Sequence, residues 1–309
     1  MSSSPTIPST AAHLPDGIIA RLYTWRTILR ISIEERLIYR GDFMLGTLMR
    51  FLPMVAQIFL WSAVFAAVAP AASQAPGAAG DSAPMIAGFR FTDFIAYYLL
   101  AMIGRAFSSM PGLATGIANS IRDGTIKKYL IQPVDMIGFL LLQRVAHKLV
   151  YYMVAILPFA LVFYLCRGYF ETGWPDAGTF LAFLASLVMA FLLGYYLETA
   201  IGLVGFWFLE VSSFLFIYML ISFFLSGQMF PLAMLDKFTI AGSVSFGDVV
   251  RCTPLQYLAY FPATVFLGKV QGARLIWGLV AELGWLVFFI ILCRVGFNRG
   301  VRRYSAFGG

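Results

Sequence analysis

The chain has 309 residues, of which 60% are hydrophobic, 17% aromatic and 12% charged, with a formal net charge of +7. A soluble domain carries roughly 25% charged residues, so this composition excludes an ordinary soluble protein and leaves an integral membrane protein. The basic surplus follows from membrane topology, and nucleic acid is not expected as a partner.

Residues 1–17, MSSSPTIPSTAAHLPDG, are rich in Ser, Pro, Thr and Ala and are expected to be disordered. They lack the basic start and apolar core of a secretory signal. Residues 18–41 read as a helix with Leu22, Trp25, Leu29, Ile33 and Leu37 on one side. Arg26, Arg36 and Arg40 border that side, and their stems can lie in apolar surroundings while the guanidinium groups reach headgroups. An interfacial helix is therefore expected, with a plain basic juxtamembrane segment as the other reading.

About 20 apolar residues cross the hydrocarbon core as a helix. Residues 42–300 hold six such runs, at about 43–69, 91–117, 136–166, 177–205, 206–231 and 275–297. The expected fold is all-α: six transmembrane helices, an N-terminal interfacial helix and an outer re-entrant or cap segment. Arg21, Arg26, Arg30, Arg36 and Arg40 precede the first run. Arg122, Lys127, Lys128, Arg144 and Lys148 belong to the connection between the second and third, and Arg294, Arg299, Arg302 and Arg303 follow the sixth. Connections rich in Lys and Arg stay cytoplasmic. Both termini, including the tail 301–309, are therefore expected on the cytoplasmic side of a plasma (inner) membrane.

The fifth connection, 232–274, breaks this charge pattern. Its SGQMFPLAMLDKFTIAG and CTPLQYLAYFPATVFLGKVQG stretches are too apolar for free loops and too interrupted by Pro231, Pro254 and Pro262 for simple spans. Short helices dipping into the outer leaflet and capping the bundle are expected, since irregular backbone at that depth must be covered by protein.

No HExxH, GxSxG or GxxxxGK[ST] motif occurs, and no catalytic residue is assigned. Cys166, Cys252 and Cys293, with His13 and His147, lack metal-ligand spacing, so no metal site is expected. A Cys166–Cys252 disulfide is possible by side of the membrane, with buried apolar thiols as the alternative. Charged groups inside spans are functional suspects. Arg105 lies midway along the second run and Glu282 in the first half of the sixth. Arg105 pairing with Glu282 or another glutamate, and a substrate role, both stay open. Glu198 and Glu210 fall near the cytoplasmic ends of their runs, either hydrated or converging on a cavity.

The segment SIRDGTIKKYLIQPVD, Ser120 to Asp135, mixes Arg122, Asp123, Lys127 and Lys128 with Ile121, Ile126, Tyr129, Leu130 and Ile131. A solvated loop leaves those apolar residues without a role. A short amphipathic helix over Ser120–Leu130, with Gly124 allowing close approach and Pro133 closing it, would offer one side to a soluble partner.

IEERLIYRGDFMLGTLMRFLPMVAQIFLWSAVF, FTDFIAYYLLAMIGRAF and IRDGTIKKYLIQPVDMIGFLL, in that order, resemble the permease subunits of ABC-2 type exporters. The IxxGxLxxxLxxPV segment of that family is matched by Ile121, Gly124, Ile126, Leu130, Pro133 and Val134. SGQMFPLAML resembles its Gly-x-x-x-Pro element, and RRYSAFGG its ending. TIAGSVSFGDVVRCTPLQY is longer and more polar than the family pattern.

The resemblance implies a dimer of permeases, with a second chain identical or related, joined to a dimer of ABC ATPase subunits that carry ATP and Mg. No cofactor is then expected on this chain. Ile121, Arg122, Asp123, Gly124, Thr125, Ile126, Lys127, Lys128, Leu130 and Pro133 would couple to the ATPase. The expected substrate path is Gln57, Trp61, Arg105, Glu198, Glu210, Phe214, Tyr218 and Glu282, leading an amphipathic or hydrophobic substrate outward across the lipid bilayer. An ion-coupled secondary transporter and a membrane-embedded lipid-modifying enzyme are the alternatives.

Overall fold

A computed structural model describes residues 18–37, 40–73, 85–132, 134–170, 173–208, 210–242 and 244–304. The expected disordered N-terminus, Pro133 and the tail beyond Tyr304 lie outside the described residues. Helix α1, Ile18–Leu37, precedes α2, Arg40–Ser73. Then come α3, Phe91–Ser108, α4, Leu113–Arg122, α5, Lys127–Ile131, and α6, Met136–Leu165. Helices α7, Ala177–Leu203, and α8, Ser212–Leu225, lead to a small ribbon of β1, Thr239–Ala241, and β2, Val244–Ser245. Helices α9, Phe246–Arg251, α10, Tyr260–Phe266, and α11, Ala273–Arg303, complete the described chain.

Among the described residues, four stretches are long and apolar enough to cross a bilayer: Phe51–Val68, Met136–Leu165, Ala177–Phe206 and Ala273–Arg303. Two expected spans differ. The second, 91–117, is interrupted, because Pro111 has no N–H to continue α3 and Gly112 adopts φ 70°, a left-handed conformation that starts α4 afresh. Among the described residues of the fifth, 206–231, the α-helical part is the 14-residue α8, reaching about 21 Å against a hydrocarbon core of roughly 30 Å. Helix α11 continues past residue 297, so that Arg299, Arg302 and Arg303 ride on it.

Helix α7 lies at the centre, packed against α11, α4, α3 and α10. Its small residues set the spacing. A Cβ at Gly194 would stand 2.1 Å from the Ser108 carbonyl oxygen, and one at Gly202 2.8 Å from that of Ala114. Such backbone approach is a common way for membrane helices to associate where water supplies no hydrophobic drive. Helix α1 packs along α6, with Trp25 beside Gly138.

The turn Pro254–Leu258 and α10 form a wedge inside the bundle. Leu255, Tyr257, Leu258, Phe261, Val265 and Phe266 are buried against α3 and α7. A Cβ at Gly104 would meet the Ala259 Cα at 3.0 Å, and Gly278 leaves room for the Phe261 ring. This irregular backbone is thus covered by protein. Beside it, the β1–β2 ribbon departs from the all-α expectation. Ser245 caps α9 reciprocally with Asp248, and Arg251 pairs with Asp236 at 2.5 Å.

Candidate functional site

The break between α3 and α4 organises the polar interior. In an unbroken helix the Ala106 carbonyl would accept from the Met110 N–H, the i to i−4 bond. Here the Ala106 carbonyl accepts instead from Lys148 Nζ at 2.5 Å, and Glu198 lines the same cavity as Met110. Lys148 Nζ also donates to the Ser109 carbonyl at 2.7 Å, and Arg144 NH1 to that of Pro111 at 3.0 Å. Ser108 Oγ donates to the Leu258 carbonyl at 2.8 Å, tying the break to the wedge. Positive groups at carbonyls that have lost helical partners are favoured by the helix dipole as well as by hydrogen bonding.

Arg144 and Lys148 therefore have a structural placement that a count of loop charges does not convey. They lie on α6, four residues apart and on one face, and Lys148 is 6% exposed. The signals in the sequence were the Pro111-Gly112 dipeptide, which marks a turn, and this four-residue spacing.

A cavity of about 520 Å³ opens against the break. Helix α2 contributes Met54 and Gln57, α3 contributes Tyr98, Met102 and Arg105, and α7 contributes Glu198. Helix α8 closes it with Leu215, Tyr218, Met219, Ser222 and Phe223, followed by Gln228. Four residues expected on the substrate path, Gln57, Arg105, Glu198 and Tyr218, thus meet in one place. The wall joins one guanidinium and one carboxylate to amides, hydroxyls and flexible methionines. Such a surface can hold an apolar body and orient a polar group. Trp61 stands behind it, donating from Nε1 to the Tyr98 hydroxyl at 2.7 Å and to Gln57 Oε1 at 3.2 Å. Tyr98 in turn donates to the Met229 carbonyl.

The remaining expected path residues lie elsewhere. Glu282 is fully buried between α11 and α7 and accepts from Ser186 Oγ at 2.9 Å, so its hydrogen-bond partner is Ser186, while Arg105 lies beside Glu198. Glu210 does not converge with Glu198; it is exposed and accepts the Ser212 N–H at 3.0 Å. Phe214 is 47% exposed on α8 and outside the cavity wall. Cys166 and Cys252 are free thiols, and Cys293 is buried. Among the described residues no group of three or more His, Cys, Asp or Glu could hold a metal ion.

Ser120 to Leu130 is not one helix. Helix α4 ends at Arg122, Gly124 turns the chain at φ 74°, and α5 starts at Lys127. A Cβ on Gly124 would meet only the Tyr304 hydroxyl, at 3.5 Å, so the turn conformation, more than close approach, is what this glycine supplies. Ile121 and Ile126 are buried with Ile117, Met136, Ile137 and Tyr195, which gives two of the apolar residues a role in packing. Arg122, Asp123, Thr125, Lys127, Lys128 and Leu130 are exposed, and Ile131 is 83% exposed. Asp135 caps α6 through the Gly138 N–H at 2.8 Å and pairs with Arg294 of α11 at 2.5 Å.

Long apolar helices, a polar cavity at a discontinuous helix and an exposed charged turn at the end of α4 define a multi-pass membrane protein of the transporter class. The family described as ABC-2 family transporter protein matches residues 78–308. The chain belongs to that family, whose members are membrane permeases of ABC transporters that work with an ATPase subunit. Among curated proteins, none matches the chain.

Proposed function

We propose that this chain is the membrane-spanning subunit of an ATP-driven exporter, working with a dimer of separate ABC ATPase subunits and a second permease, identical or related. Six crossings are counted, with α3 and α4 making the second and α8 with its flanking turns the fifth. Both termini and α5 then face the cytoplasm of a plasma (inner) membrane, in keeping with the Lys and Arg bias. The observation that carries the reading is spatial. One wall of the cavity belongs to α4, and the other end of α4 leads through Gly124 to exposed Lys127, Lys128, Leu130 and Ile131.

In this reading the ATPases grip α5 and the neighbouring Arg122, Asp123 and Thr125. Their closure on ATP has different contacts with the inward-facing and outward-facing states, which is what an ATP-driven shift requires. The cavity suits an amphipathic substrate whose polar group meets Arg105, Glu198 and Gln57 while its apolar part lies against Met54, Met102 and Phe223.

The test is ATP turnover and transport by the chain reconstituted with its ATPase. Exchanging Lys127 and Lys128 for Glu should leave the permease folded and lower its effect on ATP turnover about tenfold, within the range of measured coupling energies. Unchanged turnover and transport would remove α5 from the coupling role. Transport by the chain without any ATPase would favour an ion-coupled carrier.

A further inference from the structure

We infer that Lys148 is a positioning residue that holds the α3–α4 helix open at one hydrogen bond, and that this opened bond passes movement from α5 to the cavity. The inference rests on the exporter reading. Its basis is the arrangement at Ala106 and Met110. The carbonyl that would accept from the Met110 N–H in a continuous helix is instead taken by an ammonium, and the Glu198 carboxylate lines the cavity together with Met110. The two groups come from different helices, α6 and α7. The break is thus held by an ammonium that takes both the Ala106 and the Ser109 carbonyls.

Pro111 alone does not explain this arrangement. The N–H that proline lacks would have served the Phe107 carbonyl, not that of Ala106. Charge-assisted hydrogen bonds are stronger than the neutral bond they replace. The burial of Lys148 is compensated by two carbonyls that are available to it because the helix is open. Arg144, one turn nearer to α5, holds the Pro111 carbonyl and also lines a smaller pocket with Ser120, Ile126 and Tyr129. The 10 residues of α4 form a rod of about 15 Å between this anchored break and the Gly124 turn. A displacement of α5 turns the rod, and the tethers decide whether the cavity wall at Gly112, Ala114 and Thr115 moves with it.

The experiment is hydrogen exchange in the complete complex with its ATPase in nanodiscs, with and without ATP and vanadate, read over residues 106–115 and 122–131. The wild type should respond in both segments. Lys148→Met should keep the response at residues 122–131 and reduce that at residues 106–115 about tenfold, at temperatures below its melting point. Lys148→Arg, which keeps charge and donors, should restore much of it. A Lys148→Met complex responding in both segments like the wild type overturns the inference while leaving the exporter reading intact. A wild type with no nucleotide response at residues 122–131 overturns both. If Lys148→Met fails to fold, Lys148→Gln is read instead; its shorter, uncharged side chain cannot hold both carbonyls, and a wild-type response at residues 106–115 would again overturn the proposal.

Discussion

Helix α7 carries polar groups on two sides about 120° apart, and the two sides are built differently. On one, Gly194 and Gly202 bring the α3–α4 backbone close and Glu198 faces a cavity. On the other, Ser186 meets Glu282 of α11 in a sealed contact without exposure to solvent. Both glutamates lie within apolar runs and look alike in the sequence. One stands where a ligand could meet it, and the other binds two helices together. Charge inside a span is thus a pointer to function only once its surroundings are known.

The largest expected effect tests the close side of α7. Gly194→Val places side-chain carbon where the Ser108 carbonyl stands, and should cost more than about 3 kcal/mol because backbone cannot yield as a side chain does. Thermal unfolding in detergent measures it, and a wild-type midpoint would mean that α7 and the break are not in contact. On the sealed side, Glu282→Lys should cost about 3–5 kcal/mol by leaving a buried charge without a partner. Glu282→Gln, still able to accept from Ser186, should stay within about 1 kcal/mol and keep ATP turnover. Glu198→Gln should instead alter turnover in the presence of substrate; equal behaviour of the two Gln variants would erase the distinction.

A smaller effect is expected where α6 and α11 meet. Burial raises the Asp135 pKa, but the Arg294 hydrogen bond and the Gly138 and Ile137 amides outweigh it, so the carboxyl lies below its usual value. Its stabilising contribution is complete above the unfolded carboxylate pKa of about 3.9 and is lost as pH falls through the lower folded value. The exposure of both partners reduces the size of this contribution. Asp135→Asn should flatten the fall in melting temperature below about pH 4, and an unchanged acid limb would show that the pair contributes nothing. The smallest change is Arg251→Ala in the ribbon region, roughly 0.2–1 kcal/mol for a partly exposed pair. A larger loss in the same melting assay would show that the ribbon supports the wedge.

Much of this was legible in the sequence. The runs that became α2, α6, α7 and α11 are long and apolar, and hydropathy finds such helices because length and composition are all it needs. The expected path joined eight residues, of which Gln57, Arg105, Glu198 and Tyr218 line one cavity, while Trp61 stands behind it and Glu210, Glu282 and Phe214 lie elsewhere. What escaped was backbone direction. Ser109–Gly112 is a short interruption in an apolar context, so it reads as continuous span until Pro111 and Gly112 are weighed as a turn. Once that break is known, Lys148 changes from a topological charge to a buried donor. Ile121 and Ile126 likewise could not be told from partner contacts, because burial against residues such as Tyr195 is a long-range property.

The wedge of residues 254–266 has a consequence for biosynthesis. It fills space between α3 and α7, yet it is made after both of them and shortly before α11. Until it emerges, the nascent bundle has a gap lined by Phe94, Leu100, Phe183 and Leu187, which lipid or a membrane chaperone must occupy. A chain halted after α8 should therefore persist as a loosely packed intermediate sensitive to membrane proteases, and become resistant only when α10 has entered.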